Sequence, residues 1–477
     1  MNSRQLKSIG GFGLLLVFLI LVSACAGQLP TPAPAPATQP AQAATQAPAA
    51  TQAAQPTQAA ATQAPQPTTA SSGQKVTIRI ALIWTGGDSS APAIDNALKK
   101  WAEAHKDTVN LVREETPGDE HRNKMTVDLA SNNVADVFSY WTGPASMNPF
   151  LDANMLLDMS EYFKLSKVNK QDRWTEAQLQ NSTFNGKVYA LPIQAFKCFT
   201  LYNTALFDKY NVKPPTNYQE MLAVAKVFND NGITPMDEGS KGGNPGHLFY
   251  NDILYQLPNG LQDGQAVTTS YNVGTPAFRQ AAAIVADLVK NKYFPADTIA
   301  NGDWPPSVEL YNQQKAAMVY TCPWKLPDIK PEVAAISEPM FFPTVDGAAI
   351  KGSDFNVGNT VHGWLINQNS FHNPAKQALI VDLMDSLTSD ETLNAMIEAG
   401  LWPAWKVNMS NLKVSPLETK VLDFTSKSPQ TYSVVAGILP TAPSLTAYLD
   451  AMDKLFAGDD PNQVIDKFQE FVSKEKK

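Results

Sequence analysis

Val76-Thr77-Ile78-Arg79-Ile80-Ala81-Leu82-Ile83-Trp84 is a run of mostly apolar residues of the length and composition of one buried or half-buried strand. Behind it Gly86-Gly87-Asp88 reads as a turn, Ser89 and Ser90 offer helix caps, and Pro92 suits a first helical turn. Ile94, Ala97, Leu98 and Trp101 then recur at helical spacing, so the order is strand, loop, helix. A second strand over Val109 to Arg113, a helix over Met125 to Ala130 and a third strand over Ala135-Asp136-Val137-Phe138 continue the alternation, which predicts an α/β fold with a parallel sheet.

The segment from Lys75 to Lys477 exceeds what one core usually holds, so two lobes are expected. The second reads as helix-rich, with amphipathic patterns over Tyr218 to Asn229, Phe278 to Lys290, Pro374 to Leu387, Asp390 to Ala399 and Asp460 to Ser473. No internal repeat is visible.

Upstream, Arg4 and Lys7 precede an apolar stretch from Ile9 to Val22, which is shorter than the roughly 20 residues of a comfortable membrane span. Small residues follow in Val22-Ser23-Ala24-Cys25, the layout of a secretory signal peptide over 1–24. A cysteine directly after that pair resembles the lipobox of bacterial lipoproteins, which implies lipidation of Cys25 and an anchored, extracytoplasmic protein. Gln28 to Gly73 carries no charge and one large apolar residue, Leu29, so 25–74 reads as a lipidated cysteine and a disordered Pro/Ala/Thr/Gln tether.

A net charge of −8 without a Lys/Arg run before the final residues argues against nucleic acid or an anionic membrane surface as partner. The membrane contact expected is through the lipid only. Neither paired CxxC motifs nor an HExxH occurs, so no metal and no cofactor are expected. GxSxG and Walker A are absent too, and no catalytic residue stands out.

Further along, Asn185-Gly186-Lys187-Val188-Tyr189-Ala190-Leu191-Pro192, Leu201-Tyr202-Asn203-Thr204-Ala205-Leu206-Phe207, Pro214-Pro215-Thr216-Asn217-Tyr218-Gln219-Glu220 and Gly232-Ile233-Thr234-Pro235 follow one another. They are joined by Gln314 to Trp324, Pro343-Thr344-Val345-Asp346-Gly347, His362-Gly363-Trp364-Leu365-Ile366 and Gly437-Ile438-Leu439-Pro440. Together these segments resemble the extracytoplasmic solute-binding proteins of ABC importers, in the oligosaccharide-binding, maltose-binding-protein-like group. The resemblance implies a two-lobed clamp joined by crossing hinge strands, with 75–195 plus 362–400 in one lobe and 196–361 plus 401–477 in the other. It also implies a receptor without chemistry that hands its ligand to ABC permease membrane subunits.

A sugar presents hydroxyls at its edge and a C–H-rich face, so its pocket needs flat aromatic platforms beside polar side chains. Trp84, Trp141, Trp304, Trp324, Trp364 and Trp402 fall at predicted strand ends or in loops, the edge where open α/β sheets bind ligands. Asp88 follows the first strand and Glu115 ends the second, as hydroxyl acceptors or, respectively, as a helix cap and an ordinary surface acid. The resemblance adds weight to Trp141, places Trp324 as a stacking platform with Cys322 where glycine is usual, and sets His247 where the family offers a loop aromatic. It also brings Cys198, in the crossing strand, near Cys322, either as an extracytoplasmic disulfide or as two buried thiols.

Two other readings compete. A glycoside hydrolase needs two carboxylates about 5 to 9 Å apart across the scissile bond. The same clamp could instead hold a polyamine, a glycerophosphodiester or another small solute, since acids around aromatics suit a cation.

Overall fold

The computed structural model describes residues 75–476, apart from Gly87, Pro305 and the side chain of Asp119. The signal-like segment, Cys25 and the tether lie outside the described residues. Among those described, no helix is long and apolar enough to cross a membrane.

The strands that position the site are β1 (Val76–Leu82), β2 (Val109–Glu115), β3 (Val137–Trp141), β4 (Leu191–Lys197), β5 (Phe199–Asn203), β6 (Thr234–Asp237), β7 (Ala316–Thr321), β8 (Ser337–Met340), β9 (Phe355–Ile366) and β10 (Gln430–Tyr432). β1 lies between β2 and β3 and parallel to both. The helix Ala91–Ala104 has proline in its first turn and buries Ile94, Ala97, Leu98 and Trp101, the face that periodicity predicts. The helix expected from Met125 begins at Gly118, because its polar first turns hide the helical period. Asp136 stands just before β3, where its carboxylate accepts from the Arg79 amide and pairs with Lys376 at 2.9 Å.

β9 extends this sheet, antiparallel to β3 and to β4, giving the order β10-β9-β3-β1-β2 with β4 also on β9. A second sheet has the order β8-β5-β7-β6, with β6 and β7 parallel. Each sheet has its own core. Ile78, Ile80 and Leu82 pack with Trp101, Trp364 and the helices Gln377–Leu387 and Asp390–Glu398. Met236, Met318 and Tyr320 pack with Phe249, Phe278, Tyr448 and Phe468 from the helices Gly246–Gln256, Pro276–Lys290, Ala442–Phe456 and Pro461–Glu475.

The chain crosses between the sheets at three places. β4 and β5 form one extended run interrupted only at Cys198. β9 begins with Phe355 and Val357 in the second core and ends with Trp364 and Ile366 in the first. The segment from Leu401 to Trp405 runs beside β4, where the Ala195 amide donates to the Trp402 carbonyl at 2.9 Å. Cys198 and Cys322, one step beyond the paired Phe199 and Thr321, are joined by a disulfide with Cα atoms 4.3 Å apart.

Two expectations follow. Trp101 is buried and its indole N–H donates to Asp382 at 2.8 Å; Trp101→Ala should cost about 3–5 kcal/mol of folding stability in denaturant unfolding. Burial pushes the carboxyls of Asp237 and Asp252 up to about 7, against hydrogen bonds that favour their ionised forms. The folded protein therefore holds protons that the unfolded chain has released, so this stabilisation is full below about pH 4 and is lost as pH rises to about 7. Asp252→Asn should flatten that slope and gain stability relative to the parent above pH 7, read from melting temperatures across the range.

Candidate functional site

β1 and β3 end on one edge of the first sheet, and the side chains beyond them form a connected aromatic group. Trp84 lies 5.2 Å from Trp364 and 5.9 Å from His362, and His362 lies 5.0 Å from Trp141, all as edge-on ring contacts. The Arg122 guanidinium sits over the Trp141 ring at 4.0 Å. Trp84 and Trp364 are buried and Trp141 is half-buried. Trp364 lies on a strand covered on both faces and is fully enclosed, so it shapes the floor of this edge and presents no open face in this conformation.

The corresponding edge of the second sheet carries the segment after β7. Trp324 follows Cys322 and Pro323, half-buried, with Trp304 at 4.9 Å and Phe196 of the crossing strand at 5.4 Å. This edge faces the first lobe: Asp328 is close enough that its charge raises Asp88, and a Cβ on Gly400 would come within 2.6 Å of Pro327. Asp88 is pushed up mainly by burial, with hydrogen bonds to Ser90 opposing; its carboxylate accepts the Ser90 amide at 2.7 Å, an arrangement that also braces the start of the first helix. Trp84 and Asp88 beyond β1 and Trp141 at the end of β3 thus stand on the first sheet's edge, and Trp324 beyond β7, with Trp304 against it, on the second's.

The other three sequence candidates lie elsewhere. Glu115 is exposed at the end of edge strand β2 and paired with Arg113 at 2.6 Å. Trp402 is buried behind the hinge, stacked on Phe199 with ring centroids 6.3 Å apart. His247 is buried at the start of the helix Gly246–Gln256, 6.1 Å from the Tyr448 ring; burial pushes it down to about 3, so it is neutral, and its Nδ1 has no partner.

Sequence reasoning missed Glu238. It follows β6 by one residue, on the same edge as the segment after β7, since the two strands are parallel and in register at Val319 and Asp237. Its side chain is fully buried, its carboxylate has no side-chain partner, and burial followed by the charge of Asp237 pushes its pKa well up against a backbone hydrogen bond from Gly239. The neighbouring Thr321 hydroxyl is buried and unpartnered. The signal was available in Pro235-Met236-Asp237-Glu238-Gly239, an acid pair at a strand end before a glycine, the pattern that made Glu115 a candidate. Among the described residues no group of three or more His, Cys, Asp or Glu side chains is placed to hold a metal ion. Aromatic surfaces and desolvated polar groups on facing lobes can bind a polar, C–H-rich solute; they do not form a nucleophile–base pair.

The fold recurs widely among solved structures. A protein solved in work on xylan utilization by the thermophilic bacterium Caldanaerobius polysaccharolyticus superposes with a TM-score of 0.70 at 24% identity, covering 83% of this chain and 99% of that one. A chitin oligosaccharide binding protein gives 0.72 at 19% identity, over 84% and 98%. The maltose/maltodextrin-binding domain of Bdellovibrio bacteriovorus, bound to maltotriose, gives 0.63 at 17%, over 84% and 99%. At these identities the likeness speaks for the two-lobed α/β fold. Relatives from Brucella abortus (strain 2308) and Brucella suis biovar 1 (strain 1330) are 25% identical over 249 residues, 50% of this chain, which spans 58% of their length. The profile of the family described as "bacterial extracellular solute-binding protein" matches residues 87–393, well over half of the sequence, and the chain belongs to that family of non-catalytic, ligand-capturing clamps.

Proposed function

We propose that the protein captures a sugar or oligosaccharide between its lobes and delivers it to the membrane subunits of an ABC importer, while Cys25 carries the lipid that holds it at the outer face of the membrane. The observation that carries the reading is Glu238, a buried carboxyl without a side-chain partner, on the same lobe edge as the Trp324 and Trp304 rings. A sugar supplies what each lacks: hydroxyls for the acid and a C–H face for the rings. Neighbours of the same fold support it: one solved in work on xylan utilization, a chitin oligosaccharide binding protein and a maltose/maltodextrin-binding domain bound to maltotriose. On this reading 75–195 plus 362–400 and 196–361 plus 401–477 are the two halves of the clamp, and Asp88, Trp84 and Trp141 complete the cleft.

A polyamine is the second reading, favoured by the half-buried Asp88 and the buried Glu238. Against it, the Trp141 ring already carries the Arg122 guanidinium, which repels a second cation there. A thermal-shift screen of sugars, polyols and polyamines separates the two, because a ligand that binds only the folded state raises the melting temperature.

Trp324→Ala and Glu238→Gln should each weaken the sugar found in that screen, the first by roughly 1–3 kcal/mol, or about 5- to 150-fold, with Trp324→Phe retaining much of the affinity. If Trp324→Ala lowers stability in unfolding experiments but leaves calorimetric affinity intact, the ring is structural. Cys25→Ala should release the protein from the membrane fraction; retention would indicate an uncleaved apolar segment.

A further inference from the structure

β9 pairs regularly with β4 except at His362. The register shifts between Thr360 and His362 and again between His362 and Gly363, while on its other side His362 stays opposite Trp141. Irregularities of this kind re-aim a side chain next to a site. Here they set the imidazole edge-on to both Trp84 and Trp141, the two aromatics at the cleft edge of the first lobe.

The polarity of the ring is fixed from behind. Nδ1 lies 2.7 Å from Oε1 of Gln194, an oxygen that only accepts, so Nδ1 carries the proton and Nε2 presents its lone pair. Nε2 has no solvent contact and no hydrogen-bond partner. Burial pushes the imidazole down to about 3, helped by the charges of Arg122 and His121, so the ring is neutral and the lone pair free at physiological pH. Each of these features costs stability: a broken register, a desolvated acceptor and an unprotonated histidine. Packing alone would be served by an apolar ring.

We propose that His362 is a specificity-determining contact of the cleft, its Nε2 accepting a hydrogen bond from one hydroxyl of the bound sugar. This rests on the saccharide reading above. A sugar lacking that hydroxyl leaves the acceptor buried and unpaired, so the site rejects it.

The test uses the full-length protein in calorimetry against xylotriose, chitotriose and maltotriose, with the variants His362→Phe, which keeps a ring without the acceptor, His362→Gln, which keeps an acceptor, and Trp324→Ala. His362→Phe should lose about 3- to 10-fold in affinity for the trisaccharide that binds the parent, and His362→Gln less. Monodeoxy forms of that trisaccharide supply the readout that packing would not move. One of them should bind the parent more weakly than the intact sugar, yet bind His362→Phe as well as the intact sugar does. If His362→Phe binds the trisaccharide like the parent while Trp324→Ala loses affinity, the sugar reading stands and the role of His362 is overturned. Weaker binding by His362→Phe with every deoxy preference preserved also overturns it, marking the ring as structural. If the parent binds none of the three, the saccharide reading fails and His362 falls with it.

Discussion

Cys198 is the point at which one of the three crossing segments passes from the first sheet to the second. The residue stands between β4, held in the first sheet, and β5, held in the second; its amide donates to the Val357 carbonyl at 2.9 Å while its sulfur is bonded to Cys322. Two residues beyond Cys322 is Trp324, and two before Cys198 is Phe196, against which Trp324 packs. The hinge and the aromatic platform are therefore one covalently tied unit, and rotation of the lobes is confined to the crossing points at residue 198, in β9 and beside Trp402.

The strand ends explain how each lobe groups its polar and aromatic side chains. In each sheet the parallel pair ends together, so Trp84 and Trp141 follow one pair and Glu238 and Trp324 the other. Burying a carboxyl without a side-chain partner is costly, and burial raises the pKa of Glu238 to limit that cost. Unsatisfied polar groups of this sort survive where a ligand completes them, and the neighbouring Thr321 hydroxyl shares the condition.

The sequence was most informative where one face of an element is wet. Ile94, Ala97, Leu98 and Trp101 announced their helix because the opposite face is solvated. The helix Gly246–Gln256 gave no such signal, since all of its residues are buried and no apolar period exists to read. The tryptophans divide in the same way. Trp324 and Trp141 kept partial exposure at strand ends, whereas Trp364 and Trp402, alike in local sequence context, are enclosed by a doubly covered strand and by the hinge. Glu115 and Glu238 were indistinguishable as acids at strand ends, and β2 and β6 are both outer strands of their sheets; what separates them is burial, since Arg113 and solvent meet the charge of Glu115 while Glu238 is fully enclosed. That difference is a property of what packs over each strand end, which residue type does not encode.

Closure itself depends on two glycines. Gly400 holds φ +100 with Pro327 of the other lobe where its Cβ would be, and Gly143 holds φ +101 with the Gly437 carbonyl at 2.3 Å from the equivalent point. Any other residue would be strained in its own backbone and would also wedge the lobes apart, so at both positions the conformation and the close approach demand the same side-chain-free residue. Between these contacts, the charge of Asp328 adds to the burial that raises the cost of ionising Asp88, and Lys325 pairs with Asp328. Glycine thus permits the close approach of the two cores while the charge facing Asp88 opposes it, so their spacing is set by a balance of sterics and charge.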